Sequence, residues 1–164
     1  MSDFDRQIDA FNKRYSEYMK TIQNAVLYQT RISGNKMQNR AQQIANFRQS
    51  GKNTPSLAPE MNRSITNKAE KIGESIRLSF WIDPTFVTRY GKDGTPWNIT
   101  WIHNDGTGFS YRKGNLSPAV IPRLKSRGLQ GKYFMDIAWN EESPKLQKAI
   151  REIPAKVKKK LFNQ

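Results

Sequence analysis

Phe4, Ile8, Phe11, Tyr15, Tyr18, Ile22 and Ala25 follow one another in alternating steps of four and three. That spacing keeps successive side chains on one face of an α-helix and on no single face of a strand, so the N-terminal part of this chain must be helical with one apolar stripe. Ser2 is placed to act as N-cap, and Asp3 and Asp5 suit the positive end of the helix dipole. Helix propensity falls at Ser33-Gly34, which predicts a helix over residues 1–34. About three heptads is short for a coiled coil, so the stripe is expected to pack on the chain's own sheet.

Residues 35–60 are rich in Gln and Asn and then carry Ser-Gly, Thr-Pro and Ala-Pro breakers, the pattern of a weakly structured connection with a weak helix around Met37–Phe47. Ile65, Ala69 and Ile72 fit two helical turns ended at Gly73. Ile76, Leu78, Phe80 and Ile82 then alternate with Arg77, Ser79 and Trp81, the period of a strand with one buried face. Asp83-Pro84 stops the strand, and the stretch from Gly91 to Pro96 has the chemistry of turns. Ile99 to His103 form a short strand or a helix start, and Asn104-Asp105-Gly106 turns the chain.

Residues 107–131 hold four glycines, two prolines and no acid. This is expected to be a long basic loop, extended or partly mobile, of a length that compact domains keep for a function. Ser143 as N-cap, Pro144 at the first helical position and a stripe of Leu146, Ile150, Ile153, Val157 and Leu161 predict a C-terminal helix over 143–161, which Pro154 should kink. The expected fold is α+β: a small antiparallel sheet flanked by a long N-terminal helix and a C-terminal amphipathic helix, with the core in residues 61–164.

Twenty-eight Lys and Arg stand against 14 Asp and Glu, a formal charge of +14. Between Glu17 and Glu60, and again between Asp105 and Asp136, there are bases and no acids. Such cationic stretches favour a polyanion nearby, nucleic acid being the commonest, although surplus Lys and Arg also serve solubility alone. The basic residues that could face DNA or a partner are Arg112, Lys113, Arg123, Lys125, Arg127, Lys132, Lys158, Lys159 and Lys160. With no cysteine, disulfides, thiolate catalysis and Cys-based zinc sites are excluded. No run of about 18 apolar residues is present to span a membrane, and the N-terminus reads as no secretory signal, so a soluble protein made in the cytoplasm is expected.

Trp97 to Thr107, reading WNITWIHNDGT, and Lys132 to Trp139, reading KYFMDIAW, carry a resemblance. With Trp101, Ile102, His103, Gly106 and Thr107 in the first and Phe134, Met135 and Ala138 in the second, the sequence resembles the tail-completion or neck proteins of long-tailed bacteriophages. Members of that family typically have an N-terminal helix, a strand pair, a motif like the first, and an element like the second opening a C-terminal helix. Agreement in order extends over roughly residues 60–161. The family's proline-x-x-threonine-glycine-x-leucine stretch is recognisable only faintly here, at Ala58 to Ile65.

The resemblance implies a virion protein of the neck or tail terminus, present in the host cytoplasm during assembly. It would form a ring with copies of itself, six by family resemblance, between a head connector and tail-tube or tail-terminator proteins. Genomic DNA would pass it without sequence readout. No cofactor, metal, catalytic residue or membrane partner is implied. The loop over 107–131 would then serve docking.

Two other functions compete with this one. A stand-alone basic nucleic-acid-binding module would use the same cationic stretches. A toxin-like nuclease would have to use His103, the only histidine, with Asp105, Arg112 or Lys113, and a single His on an apolar segment is more often structural. Asp105 reads as a turn residue and Asp136 as helix-start chemistry. Trp97, Trp101, Phe134 and Trp139 are expected in the core rather than as a base-stacking platform.

Overall fold

The computed structural model describes residues 3–45, 58–90, 96–105 and 132–162. Their elements, in order, are α1 (Asp3–Ala45), α2 (Ala58–Ser64), β1 (Ile65–Ile72), β2 (Ser75–Ile82), α3 (Pro84–Val87), β3 (Thr88–Tyr90), β4 (Pro96–Asn98), α4 (Ile99–Asp105) and α5 (Phe134–Phe162). This is the expected α+β class, built on two long helices. The sheet is two separate antiparallel pairs, β1 with β2 and β3 with β4.

The helix expected to end near Gly34 instead runs unbroken to Ala45. Gly34 is buried, and the hairpin explains why glycine stands there. A Cβ at this position would lie 2.9 Å from Leu78 Cδ1 and would collide with the Asn67 carboxamide oxygen. Glycine therefore lets β1 and β2 approach the helix closely, and tertiary packing overrides its low helix propensity. The Gln and Asn of the expected connection form the polar seam of the same contact. Gln38 Nε2 donates to the Ile65 carbonyl at 2.7 Å, Gln42 Nε2 to the Asn62 carbonyl at 2.8 Å, and Asn67 Nδ2 to Gln38 Oε1 at 2.6 Å.

Residues 65–72, expected as two helical turns, form a strand instead. Eight residues with apolar groups at i, i+4 and i+7 do not separate the two periods, and the decision comes from the neighbour. β1 pairs along its whole length with β2, from Ile65 opposite Ile82 to Ile72 opposite Ser75. The two-residue turn between them has Gly73 at φ +59° and no positive φ at Glu74, the type II′ geometry that matches the twist of a hairpin. The inward face expected for β2 is observed: Ile76, Leu78 and Phe80 are half-buried and Ile82 is buried. Asp83 ends the strand, accepting from the Thr85 amide at 2.9 Å and the Thr85 hydroxyl at 2.7 Å, which holds its carboxyl below the ordinary value.

The C-terminal helix begins at Phe134, ahead of the expected Ser143 start, and continues through both Pro144 and Pro154 to Phe162. Each proline removes one helical hydrogen bond. The buried face on either side of Pro144 offsets that loss: Phe134, Ala138 and Leu146 pack inward. α5 packs against α1, and so do both strands of the hairpin. Where the three meet, Ala41, Ala45, Ile65, Ile82, Phe134 and Ala138 form the buried core, with Ile44, Phe80 and Met135 around it. Ile153 and Val157 extend the α5 stripe as expected, whereas Leu161 is exposed.

Candidate assembly surfaces

The first motif, from Trp97 to Asp105, folds as the end of β4 and the helix α4, with its polar residues as fasteners. Asn98 caps α4, its Oδ1 accepting from the Trp101 amide at 3.1 Å. Thr100 is fully buried, its hydroxyl 2.8 Å from that of Ser64, which also bonds the Met61 carbonyl at 2.7 Å. Because the carbonyl can only accept, Ser64 gives it its proton and receives that of Thr100. This ties α4 to the end of α2.

Asn104 joins the two motifs. Its carbonyl accepts from the Tyr133 amide at 2.8 Å and its side-chain oxygen from the Met135 amide at 3.1 Å, so a residue at the end of α4 satisfies the first turn of α5. Tyr133 adopts φ +47° to enter that turn. One residue on, Phe134 is fully buried, and Ala138 lies one helical turn further into the same core.

The structure brings Phe134 and Ala138 together in the core, with the half-buried Met135 packed against it. Trp101 and Trp139, expected there too, are exposed instead, at 39% and 42%. On α5 the inward face belongs to Phe134 and Ala138, and neighbouring Trp139 is turned away from it. The side chains of Trp97, Ile102, His103 and Asp105 lie outside the described residues, as do Gly106, Thr107 and the whole loop over 107–131 with Arg112, Lys113, Arg123, Lys125 and Arg127. Ser2 does as well.

Among the basic candidates within the described residues, Lys132 has a structural partner: its Nζ donates to the Ala45 carbonyl at 2.6 Å, capping the C-terminus of α1. Lys158, Lys159 and Lys160 are exposed on the last turns of α5. Arg40 grips Glu141 through two hydrogen bonds of 2.6 and 3.0 Å, which clamps α1 to α5. The fork raises the Arg40 pKa and lowers that of Glu141.

No family model, curated protein or solved structure matches this chain.

Two surfaces stand out in the geometry. The first is the beginning of α1. Every residue from Asp3 to Glu17 is exposed, including Phe4 at 68%, Ile8 at 42%, Phe11 at 67% and Tyr15 at 55%. The stripe thus packs on the sheet only in its later part. Tyr18 is the first half-buried residue of α1, and its hydroxyl donates to the Pro154 carbonyl of α5 at 3.3 Å. The fifteen residues before that point form an arm of about 22 Å, helical because it extends a packed helix and needs no nucleus of its own.

The second surface is an open groove between α1 and the hairpin tip, lined by Tyr15, Met19, Ile22, Val26 and Ile76. Among the described residues no three of His, Cys, Asp and Glu gather as a metal site would need, and no helix is long and apolar enough to cross a membrane. Sequence reasoning passed over Ser64, Asn98 and Thr100 and gave Asn104 only a part in a turn, whereas it lies at the end of α4 and caps α5.

Proposed function

We propose that this chain is a structural subunit of a bacteriophage neck or tail terminus, assembling as a ring that joins the DNA-filled head to the tail. The observation that carries an assembly role is the uncovered aromatic stripe on the α1 arm. A monomeric globule has no use for four large apolar side chains held in water on one helical face, whereas a subunit that completes its packing with neighbours does. The resemblance to tail-completion proteins supplies the place. Its order of elements agrees with the order here: long helix, strand pair, first motif on α4, second motif opening α5.

In this role α4 and the start of α5 are the frame. Phe134 and Ala138 anchor it to α1 and the hairpin, and Asn104 fixes the spacing of the two motifs. The exposed Lys158, Lys159 and Lys160 suit contact with passing phosphates, which requires charge and no base readout.

Deleting the gene from a phage that carries it is the direct test. Filled heads and finished tails should accumulate unjoined, and added purified protein should restore joining. Joined, infectious particles made without the protein would overturn the proposal.

A further inference from the structure

We propose that two copies of this chain pair through their α1 arms, antiparallel, about a twofold axis passing between Asp9 and Ala10. With the stripe written as a heptad, Ile8 and Tyr15 take one seam position and Phe4 and Phe11 the other. An antiparallel partner centred there sets Phe4 opposite Tyr15 and Ile8 opposite Phe11, and both copies cover all four side chains at once. Phe11 and Tyr15 are already stacked, ring centroids 6.2 Å apart and planes 15° from parallel.

Charge selects this direction over a parallel one. The first half of the arm carries Asp3, Asp5 and Asp9 against Arg6, and the second half with its continuation carries Lys13, Arg14 and Lys20 against Glu17. Antiparallel pairing lays the acidic half of one arm along the basic half of the other and opposes the two helix dipoles. Parallel pairing would lay acidic half along acidic half and align the two dipoles. At the flanks of the antiparallel seam Asp5 comes beside Asn12 and Gln7 beside Arg14, with no like charges in contact. The acids near the tip also disfavour an anionic membrane as the occupant.

The area sets the strength. At their observed exposures the four stripe residues offer roughly 400 Å² per copy, about half of one partner's share of a standard interface. The pair should therefore be weak and populated only as the protein concentration is raised. Resting on the neck reading, ring neighbours meet through two different patches whereas this contact uses one patch twice, so the arm pair forms before the ring and parts on entry, freeing both stripes for ring neighbours.

Sedimentation of the purified full chain over a concentration series reads the pair with no viral component present, so its outcome is separate from that of head-to-tail joining. Mass should rise toward that of a dimer, and Phe11→Glu, at an exposed site that spares the fold, should weaken association by about tenfold or more. The chain has no cysteine, so introduced thiols report direction. An equal mixture of Asp5→Cys and Asn12→Cys chains should form the mixed disulfide in preference to either like pair. A chain that stays monomeric at every concentration, association indifferent to Phe11→Glu, or preferential like-with-like crosslinks would overturn the pairing.

Discussion

Replacing Gly34 by alanine sets two effects of opposite sign against each other, and the geometry decides between them. In an open helix interior Gly→Ala stabilises by about 0.8–1 kcal/mol. Here the new methyl would sit 2.9 Å from Leu78 Cδ1 and inside contact range of the Asn67 side chain. Overpacking of this kind costs about 1–3 kcal/mol. The Asn67 carboxamide could swing aside only by giving up its 2.6 Å bond to Gln38, itself worth about 0.5–1.5 kcal/mol. The balance is a net loss of about 0.5–3.5 kcal/mol, and Gly34→Leu should lose more. Urea denaturation followed by circular dichroism measures it, with the slope checked for constancy. Combining Gly34→Ala with Asn67→Ser should recover part of the loss, because the pair is in contact and its effects should not add. A Gly34→Ala variant more stable than the parent by about 1 kcal/mol would refute close hairpin approach as the reason for glycine there.

Further outcomes concern the frame, the clamp and the charge. Asn104→Ala removes the side-chain cap of α5 and should cost about 0.5–2 kcal/mol, read as a fall of a few degrees in Tm; an unchanged Tm would mean that α5 does not depend on α4 for its start. Glu141 is held below its ordinary value of 4.5 by Arg40, so the stability it supplies is present above that pH and is lost as pH falls through the depressed value. Glu141→Gln should therefore show a shallower decline in Tm on acidification below about pH 5 than the parent, and equal slopes would remove the clamp from the account. Changing Lys158, Lys159 and Lys160 together to Glu should lower the dependence of DNA affinity on log salt by about 2.7, or 0.9 per phosphate contact. An unchanged slope would place those lysines away from phosphate, and steep binding by the parent monomer would favour a stand-alone nucleic-acid module.

The parts of the fold legible from sequence are those decided locally. The four-three stripe needs only a helix, and the period of two from Ile76 to Ile82 needs only a sheet edge and a buried face. The misread parts are decided by partners distant along the chain. Gly34 looks like a stop until the hairpin fills the space above it, and residues 65–72 look helical until β2 is laid beside them. Ser143-Pro144 has the form of a helix start, yet the cap that matters is Asn104, on another helix. The stripe was half legible: its helical spacing was visible at once, but it was expected to pack on the chain's own sheet, and that Phe4, Ile8, Phe11 and Tyr15 stay exposed is a fact of tertiary geometry.

The bond from the Tyr133 amide to the Asn104 carbonyl also has a bearing on how this protein could change over time. It knots the two ends of the intervening stretch together at the frame, like the neck of a drawstring bag. Doubling the length of a chain closed in this way adds only about 0.6 kcal/mol of entropy cost. A change in the length of the chain between Asn104 and Tyr133 therefore adds little closure cost while Phe134 and Ala138 keep their seats.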